Sequence, residues 1–250
     1  MADSWRKKYL FDPAGKRPFR LSRSKVDLFR ECPRCFYFDR RLGVSRPGMP
    51  AFSLNNAVDI LMKKEFDIHR AKQTTHSLMK TYGIKAVPFD HEEMDHWRDA
   101  LRGGVTYAFP GTNLVITGGI DDVWVDEDGK LLVVDYKATA TDKEISLGDK
   151  WKQNYKRQVE FYQWLLRQNG FPVSDMAYFV FCNGTTDREA FDGKLEFDVK
   201  ILPYEGDDGW VEGTVKAAHA CLMNNQAPPA GGECEYCAYR EAWQKAAVSA

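Results

Sequence analysis

The order of patterned segments predicts a mixed α/β fold, a β-sheet flanked by helices. Three observations carry this expectation. Residues 118–140, "GGIDDVWVDEDGKLLVVDYKATA", read as a β-hairpin in which two apolar-rich segments flank the turn Asp126-Glu127-Asp128-Gly129. A strong helical run, "KWKQNYKRQVEFYQWLLRQNG", follows and ends at Gly170. Two more strand-like runs come next, and helical segments stand at both ends of the chain. With 250 residues there is length for a sizeable core.

Taken in order, a polar N-terminal arm precedes "SRSKVDLFRECPRCFYFDRRLG", which reads as one helix. Ser24 with Asp27 resembles a capping box, and Gly43 is placed to close the helix. In "FSLNNAVDILMKKEFDIHRA", Leu54, Ala57, Val58, Leu61, Met62 and Phe66 recur at helical spacing, so a second amphipathic helix is expected. "HEEMDHWRDALR" predicts a third. Strands are expected at about 104–109, 114–125 and 131–138. After the long helix, "MAYFVFC" and "LEFDVKILP" read as strands, and "DGWVEGTVKAAHACLMN" and "CEYCAYREAWQKAA" as helices.

Apolar residues make up 44% of the chain and charged residues 28%, ordinary for a globular protein. No apolar run approaches the roughly 20 residues of a membrane span. The N-terminus is charged early and lacks an apolar secretory core, so a cytoplasmic location is expected. Net charge is -1, but residues 1–50 hold thirteen Lys and Arg against five acids, a local excess of +8. Such an arm suits a phosphate backbone; a solvated helix face is the alternative.

Asp121, Asp135 and Lys137 are unusual residues for strands. Asp135 and Lys137 are two apart, so their side chains share a face while Tyr136 points away. In an antiparallel hairpin Asp121 can lie near Asp135. Two close carboxylates repel unless something positive stands between them, and hard oxygen ligands suit Mg²⁺ or Mn²⁺. A surface Asp–Lys pair on an exposed hairpin is the alternative. Downstream, Gln158 and Tyr162 lie four apart on the long helix, with Tyr155 about one turn earlier.

These residues resemble the pattern of the PD-(D/E)XK nuclease superfamily, in its RecB-like branch. That branch includes the nuclease domains of recombination helicases and the CRISPR-associated RecB-like exonucleases. Its G-x-x-D, D/E-x-K and Q-x-x-x-Y elements are matched here by Gly118 to Asp121, Asp135-Tyr136-Lys137, and Gln158 to Tyr162. The resemblance implies a restriction-endonuclease-like core. It implies that Asp121 and Asp135 hold the metal, that Lys137 acts on the attacking water, and that Gln158 and Tyr162 orient DNA. Asp122 should face the opposite side of its strand. Where the branch carries a His ligand on an upstream helix, this chain has Asp59, either a replacement ligand or a solvated helix position. The histidines are expected as surface or packing residues. Residues 1–250 are read as a single nuclease domain: a basic arm at 1–20, a helical part at 22–103, the catalytic α/β core at 104–205, and a C-terminal helical part at 206–250.

Six cysteines are present, four of them as Cys32/Cys35 and Cys234/Cys237 in two C-x-x-C pairs. Some members of the branch join their chain ends with an iron–sulfur cluster, using one N-terminal and three C-terminal cysteines. Here Trp243 stands at the last of those positions, and Cys35 is the candidate to complete the set. Four thiolates suit a [4Fe–4S] cluster or Zn²⁺. Four unrelated buried cysteines are the alternative. Cys182 and Cys221, with apolar neighbours, are expected as core thiols.

The resulting expectation is a metal-dependent DNA nuclease, an exonuclease or end-processing enzyme on single-stranded DNA or duplex ends. It would work apart from a helicase motor, since no phosphate-binding G-x-x-x-x-G-K-[ST] motif is present. Protein partners in repair or defence fit this expectation, and Tyr37, Trp151 and Tyr155 are candidates to stack on bases. The alternatives are an inactive nucleic-acid-binding module on the same fold, and a structural zinc protein with incidental hairpin acids.

Overall fold

The computed structural model describes residues 9–48, 52–149 and 152–249. The chain divides into two compact units, the first formed by residues 1–49, 107–117 and 209–250, the second by 50–106 and 118–208. Arg6, Lys7, Lys8 and Trp151 lie outside the described residues.

In the first unit, strand β1 (Phe19–Ser22) leads directly into helix α1 (Arg23–Glu31). The expected single helix over residues 22–43 is in three pieces. Pro33 disfavours helical backbone at the residue before it, and Cys32 is extended (φ -157°, ψ 101°). Pro33 then opens a short helix, α2 (Pro33–Tyr37), whose first turn is capped by the Cys32 sulfur accepting from the Cys35 N–H. A π-helical turn, Phe38–Leu42, follows and closes at Gly43 in the left-handed region (φ 77°). The Ser24–Asp27 capping box does not form, because the helix begins two residues earlier, with Ser22 as N-cap.

The basic excess of this segment is partly internal. Lys25 and Arg40 pair with the buried Asp39, Arg34 with Glu241, and Arg46 with Glu31, whereas Lys16 and Arg17 are exposed. Tyr37 is a core residue rather than a stacking platform: its ring is buried and its hydroxyl donates to the Asn224 carbonyl at 3.1 Å.

The second unit begins with helix α3 (Ser53–Lys72). Its apolar face is narrower than the periodicity predicted. Met62 and Phe66 are buried, but Leu54 and Leu61 are 60% and 63% exposed. The helix meets the core along one ridge, where the Phe66 ring stacks between Trp124 (5.3 Å) and His76 (4.5 Å). Then come helix α4 (Ser77–Thr81), strand β2 (Ala86–Pro88) and helix α5 (Met94–Arg98). The third expected helix is thus shorter than its pattern. β1, β2 and α4 were not foreseen, being short and, in β1 and β2, set in polar or Pro-containing surroundings.

Strands β3 (Val105–Ala108) and β4 (Leu114–Gly118) join β1 in a three-stranded sheet of order β1-β4-β3, with β1 and β4 parallel. The strand expected over residues 114–125 is therefore two. The break at Gly119–Asp121 moves the chain into a second sheet through β5 (Asp122–Asp126) and β6 (Leu131–Thr139). These two form the expected antiparallel hairpin, with Asp122 opposite Val134. Helix α6 (Gln153–Gln168) leads to β7 (Met176–Gly184), which runs parallel to β6, and β8 (Phe197–Glu205) closes a five-stranded sheet of order β2-β5-β6-β7-β8. The chain returns to the first unit with helices α7 (Trp210–Met223) and α8 (Glu235–Ser249). No helix among the described residues is long and apolar enough to cross a membrane.

Candidate functional site

β6 presents alternate residues to its two faces, and the two faces carry different chemistry. On one, Asp135 is fully buried and in contact with the Lys137 ammonium. Gln158 of α6 donates to Asp135 Oδ1 at 2.8 Å and lies 3.4 Å from the Tyr162 hydroxyl. The Tyr155 ring centre is 4.6 Å from Lys137 Nζ. Asp121, at the break before β5, accepts from the Tyr136 N–H at 3.2 Å. Thus Asp121, Asp135, Lys137, Gln158 and Tyr162 are brought together.

Asp59 of α3 also faces this group, and it arrives with a residue the sequence reading missed. Lys63 Nζ lies 2.8 Å from Asp59 Oδ2 and 3.3 Å from Asp121 Oδ1. The i,i+4 spacing of Asp59 and Lys63 was visible in the sequence, but it is also the spacing of an ordinary helix-surface ion pair. Asp59, Asp121, Lys137, Tyr155 and Gln158 line a cavity of about 320 Å³. A neighbouring cavity of about 350 Å³ shares Lys137, Ala138 and Tyr155 with it.

The opposite face is structural. Asp122 is fully buried, paired with Arg70 and Arg98, and accepts from the Tyr136 hydroxyl at 2.6 Å. The two neighbouring acids thus point to opposite sides, as strand alternation predicts. Removing one partner of a buried charge network leaves the others uncompensated. Asp122→Ala is therefore expected to lower the unfolding free energy by about 3 kcal/mol, read from urea denaturation.

The glycine that begins the G-x-x-D element has a steric reason. A Cβ on Gly118 would stand 2.7 Å from Tyr162 Cε1. Gly118→Ala is expected to push the buried Tyr162 ring away from Gln158 and to cost about 1–3 kcal/mol, read as a lower midpoint in the same denaturation experiment.

The electrostatics separate the two carboxyl groups. Burial, reinforced by Asp121, pushes Asp135 up to about 7 against the pull of Lys137. Burial would raise Asp121 as well, but the Lys137 and Lys63 ammoniums hold it below the usual carboxylate range. Burial opposes the charge on Lys137, yet Asp135 and Asp121 keep it above its ordinary value, so it stays an ammonium. Two adjacent carboxylates, one of them reluctant to ionise, form a hard oxygen donor set that a divalent cation such as Mg²⁺ or Mn²⁺ fits.

The first unit brings the four cysteines of the two C-x-x-C pairs together. The Sγ atoms of Cys32 and Cys237 are 3.8 Å apart, and Cys35 lies 3.6 Å from both Cys234 and Cys237. All four ligand atoms fall within 4.8 Å of one another, so this cluster can hold a metal. N–H groups of Cys35 (3.4 Å) and Gly231 (3.3 Å) donate to Cys32 Sγ, and Arg46 donates to Cys234 Sγ at 3.5 Å. Burial would raise the Cys32 thiol, but these N–H donors bring it down to about 6. Gly231 is required for this approach, since a Cβ there would meet the Glu31 carbonyl at 2.3 Å. Trp243 is exposed on α8.

The remaining candidates take packing roles. Cys182 is buried in the core, and burial pushes its thiol up to about 11; Cys221 is half-buried. His76 and His91 stack on Phe66 and Trp97, His219 meets Phe11 edge-on, and His69 bonds Thr74.

Among known proteins, no curated protein matches the chain. A solved structure titled "Crystal structure of SSO0001" is similar at 16% identity over 87% of this chain and 82% of that one, with a TM-score of 0.35. The family model of the PD-(D/E)XK nuclease superfamily matches residues 57–242, a span that includes the whole cluster from Asp59 to Tyr162. A match over most of the chain, on a mixed α/β fold of this kind, means that the protein belongs to the PD-(D/E)XK nuclease superfamily, whose members are typically metal-dependent phosphodiesterases.

Proposed function

We propose that the protein is a RecB-like deoxyribonuclease that hydrolyses phosphodiester bonds with Mg²⁺ or Mn²⁺. The observation that carries this reading is that Asp121 and Lys137 line one cavity with Gln158 and Tyr155, while Lys137 and Gln158 both contact the buried Asp135 directly behind it. Asp121 and Asp135 would hold the ion. Once bound, such an ion polarises the scissile phosphate and lowers the pKa of an attacking water.

The chain's own residues do the rest. Lys137 is held as an ammonium, so its role is to position the water and offset phosphate charge rather than to remove a proton. Gln158 fixes one Asp135 oxygen at 2.8 Å, leaving the carboxylate a single orientation. Tyr155 offers a ring at the junction of the two cavities, where an unpaired base can stack. A site of this size, with a half-buried aromatic on its wall, suits a single strand better than an intact duplex.

At the four cysteines we propose Zn²⁺. A Zn–S bond of about 2.3 Å in a tetrahedron places sulfurs about 3.8 Å apart. The observed 3.6–3.8 Å separations agree. A [4Fe–4S] cluster binds each thiolate to a different iron and spreads the sulfurs farther. A cytoplasmic location and a role in repair or defence fit this reading.

The test is a cleavage assay on end-labelled single- and double-stranded DNA with Mg²⁺, Mn²⁺ or EDTA. Metal-dependent cutting that progresses from single-stranded ends is expected. Tight DNA binding with no cutting under any metal would establish the inactive binding module instead.

A further inference from the structure

We infer that Lys63 is a positioning residue that takes up the coordinating capacity of Asp59 and one oxygen of Asp121, so that the pocket accepts a single divalent ion. This rests on the metal-dependent nuclease reading above and goes beyond it. Lys63 Nζ stands between the two carboxylates, at 2.8 Å and 3.3 Å, with its side chain 19% exposed. It does not line the cavity, whereas Asp59 and Asp121 do. It therefore acts through them and not on the substrate.

The rest of the donor set points the same way. Each oxygen of Asp121 has a partner, Oδ1 with Lys63 and Oδ2 with the Tyr136 N–H. Among the described residues, the four cysteines form the one set of three or more His, Cys, Asp or Glu whose ligand atoms lie within 4.8 Å of one another. Asp59, Asp121 and Asp135 do not close into such a set. Between Asp59 and Asp121, the pair of carboxylates that could otherwise hold a further cation, stands an ammonium. Asp59 is then the anchor of Lys63 rather than a metal ligand.

The experiment is a Mn²⁺ titration, by calorimetry and by electron paramagnetic resonance, of the full chain with its cysteine site metal-replete. Wild type is expected to bind one Mn²⁺ in the pocket. Lys63→Met leaves three carboxylates facing one ammonium, and should gain a second Mn²⁺ or bind the first about tenfold tighter. Lys63→Arg keeps the charge and should behave as wild type. Asp59→Asn should keep one Mn²⁺, weakened no more than about tenfold by the loss of one nearby charge, and this variant decides the question even if Lys63→Met fails to fold.

Two ions in wild type, an unchanged Lys63→Met, a Lys63→Arg that behaves like Lys63→Met, or abolished Mn²⁺ binding in Asp59→Asn would each overturn the inference. A wild-type protein that cuts DNA with two ions overturns this inference alone. One that binds no Mn²⁺ in the pocket overturns the nuclease reading together with it.

Discussion

Lys137→Ala is expected to reduce DNA cleavage by about 10³-fold, equivalent to about 4 kcal/mol of transition-state stabilisation. The size follows from where the ammonium sits. It contacts Asp135, lies over the Tyr155 ring, and belongs to a residue that lines the cavity. Removing it would delete the positive charge proposed to meet the phosphate and let Asp135 move further toward its protonated form. Lys137→Arg keeps the charge but brings a planar fork in place of a point donor, so partial activity is expected. Initial rates on end-labelled single-stranded DNA, with circular dichroism to confirm folding, check both variants. A Lys137→Ala enzyme within tenfold of wild type would remove Lys137 from the chemistry.

The same group gives the pH dependence its sign. Asp135 is pushed up to about 7, so below that pH its protonated form predominates when no metal is bound. A divalent ion must displace that proton. At limiting Mn²⁺, the cleavage rate is therefore expected to fall roughly tenfold for each pH unit below 7, and added Mn²⁺ should restore it. A rate independent of pH between 5 and 8 at limiting metal would contradict this assignment.

The second large effect concerns the cysteines. Cys32→Ala, or chelation of the bound metal, is expected to lower the melting temperature by about 10 °C or more. In Cys32→Ala three thiols remain of four, and the donors from Cys35 and Gly231 lose their acceptor. A metal held there would join all four thiols, where the hydrophobic packing is slight, with Cys35 and Ala230 packed against Cys32, Cys234 and Cys237. Thermal melting with and without chelator, beside elemental analysis for zinc and iron, tests stability and metal identity together. Iron with acid-labile sulfide would refute the zinc assignment, and an unchanged melting temperature would refute the structural role.

Much of this was legible in the sequence, for identifiable reasons. Strand alternation sets Asp135 and Lys137 on one face with Tyr136 on the other, whereas Asp121 parts from Asp122 at the break just before β5. A helix places Gln158 near Tyr162 whatever it packs against. The C-x-x-C spacing marked the thiols that meet. Other features depend on tertiary placement. The apolar periodicity of α3 is real, but only one ridge of that helix meets the sheet, so Leu54 and Leu61 stay in solvent. Lys63 reads as a surface pair with Asp59 until the fold brings Asp121 to it. Arg70 and Arg98 are separated from Asp122 by loops whose path the pattern does not specify. The helix break at Cys32 belongs to a third kind: Pro33 announced it, and the continuous amphipathic run around it concealed it.

The position of the thiols along the chain has a consequence for biosynthesis. Every residue of the acidic pocket, from Asp59 to Tyr162, is synthesised before Cys234 and Cys237. A chain cut short before Cys234 would carry the whole pocket but only half of the thiols, and two thiols cannot fill a tetrahedral shell. Metal loading at all four cysteines would thus require translation past Cys237, and a truncated product would lack that cross-link.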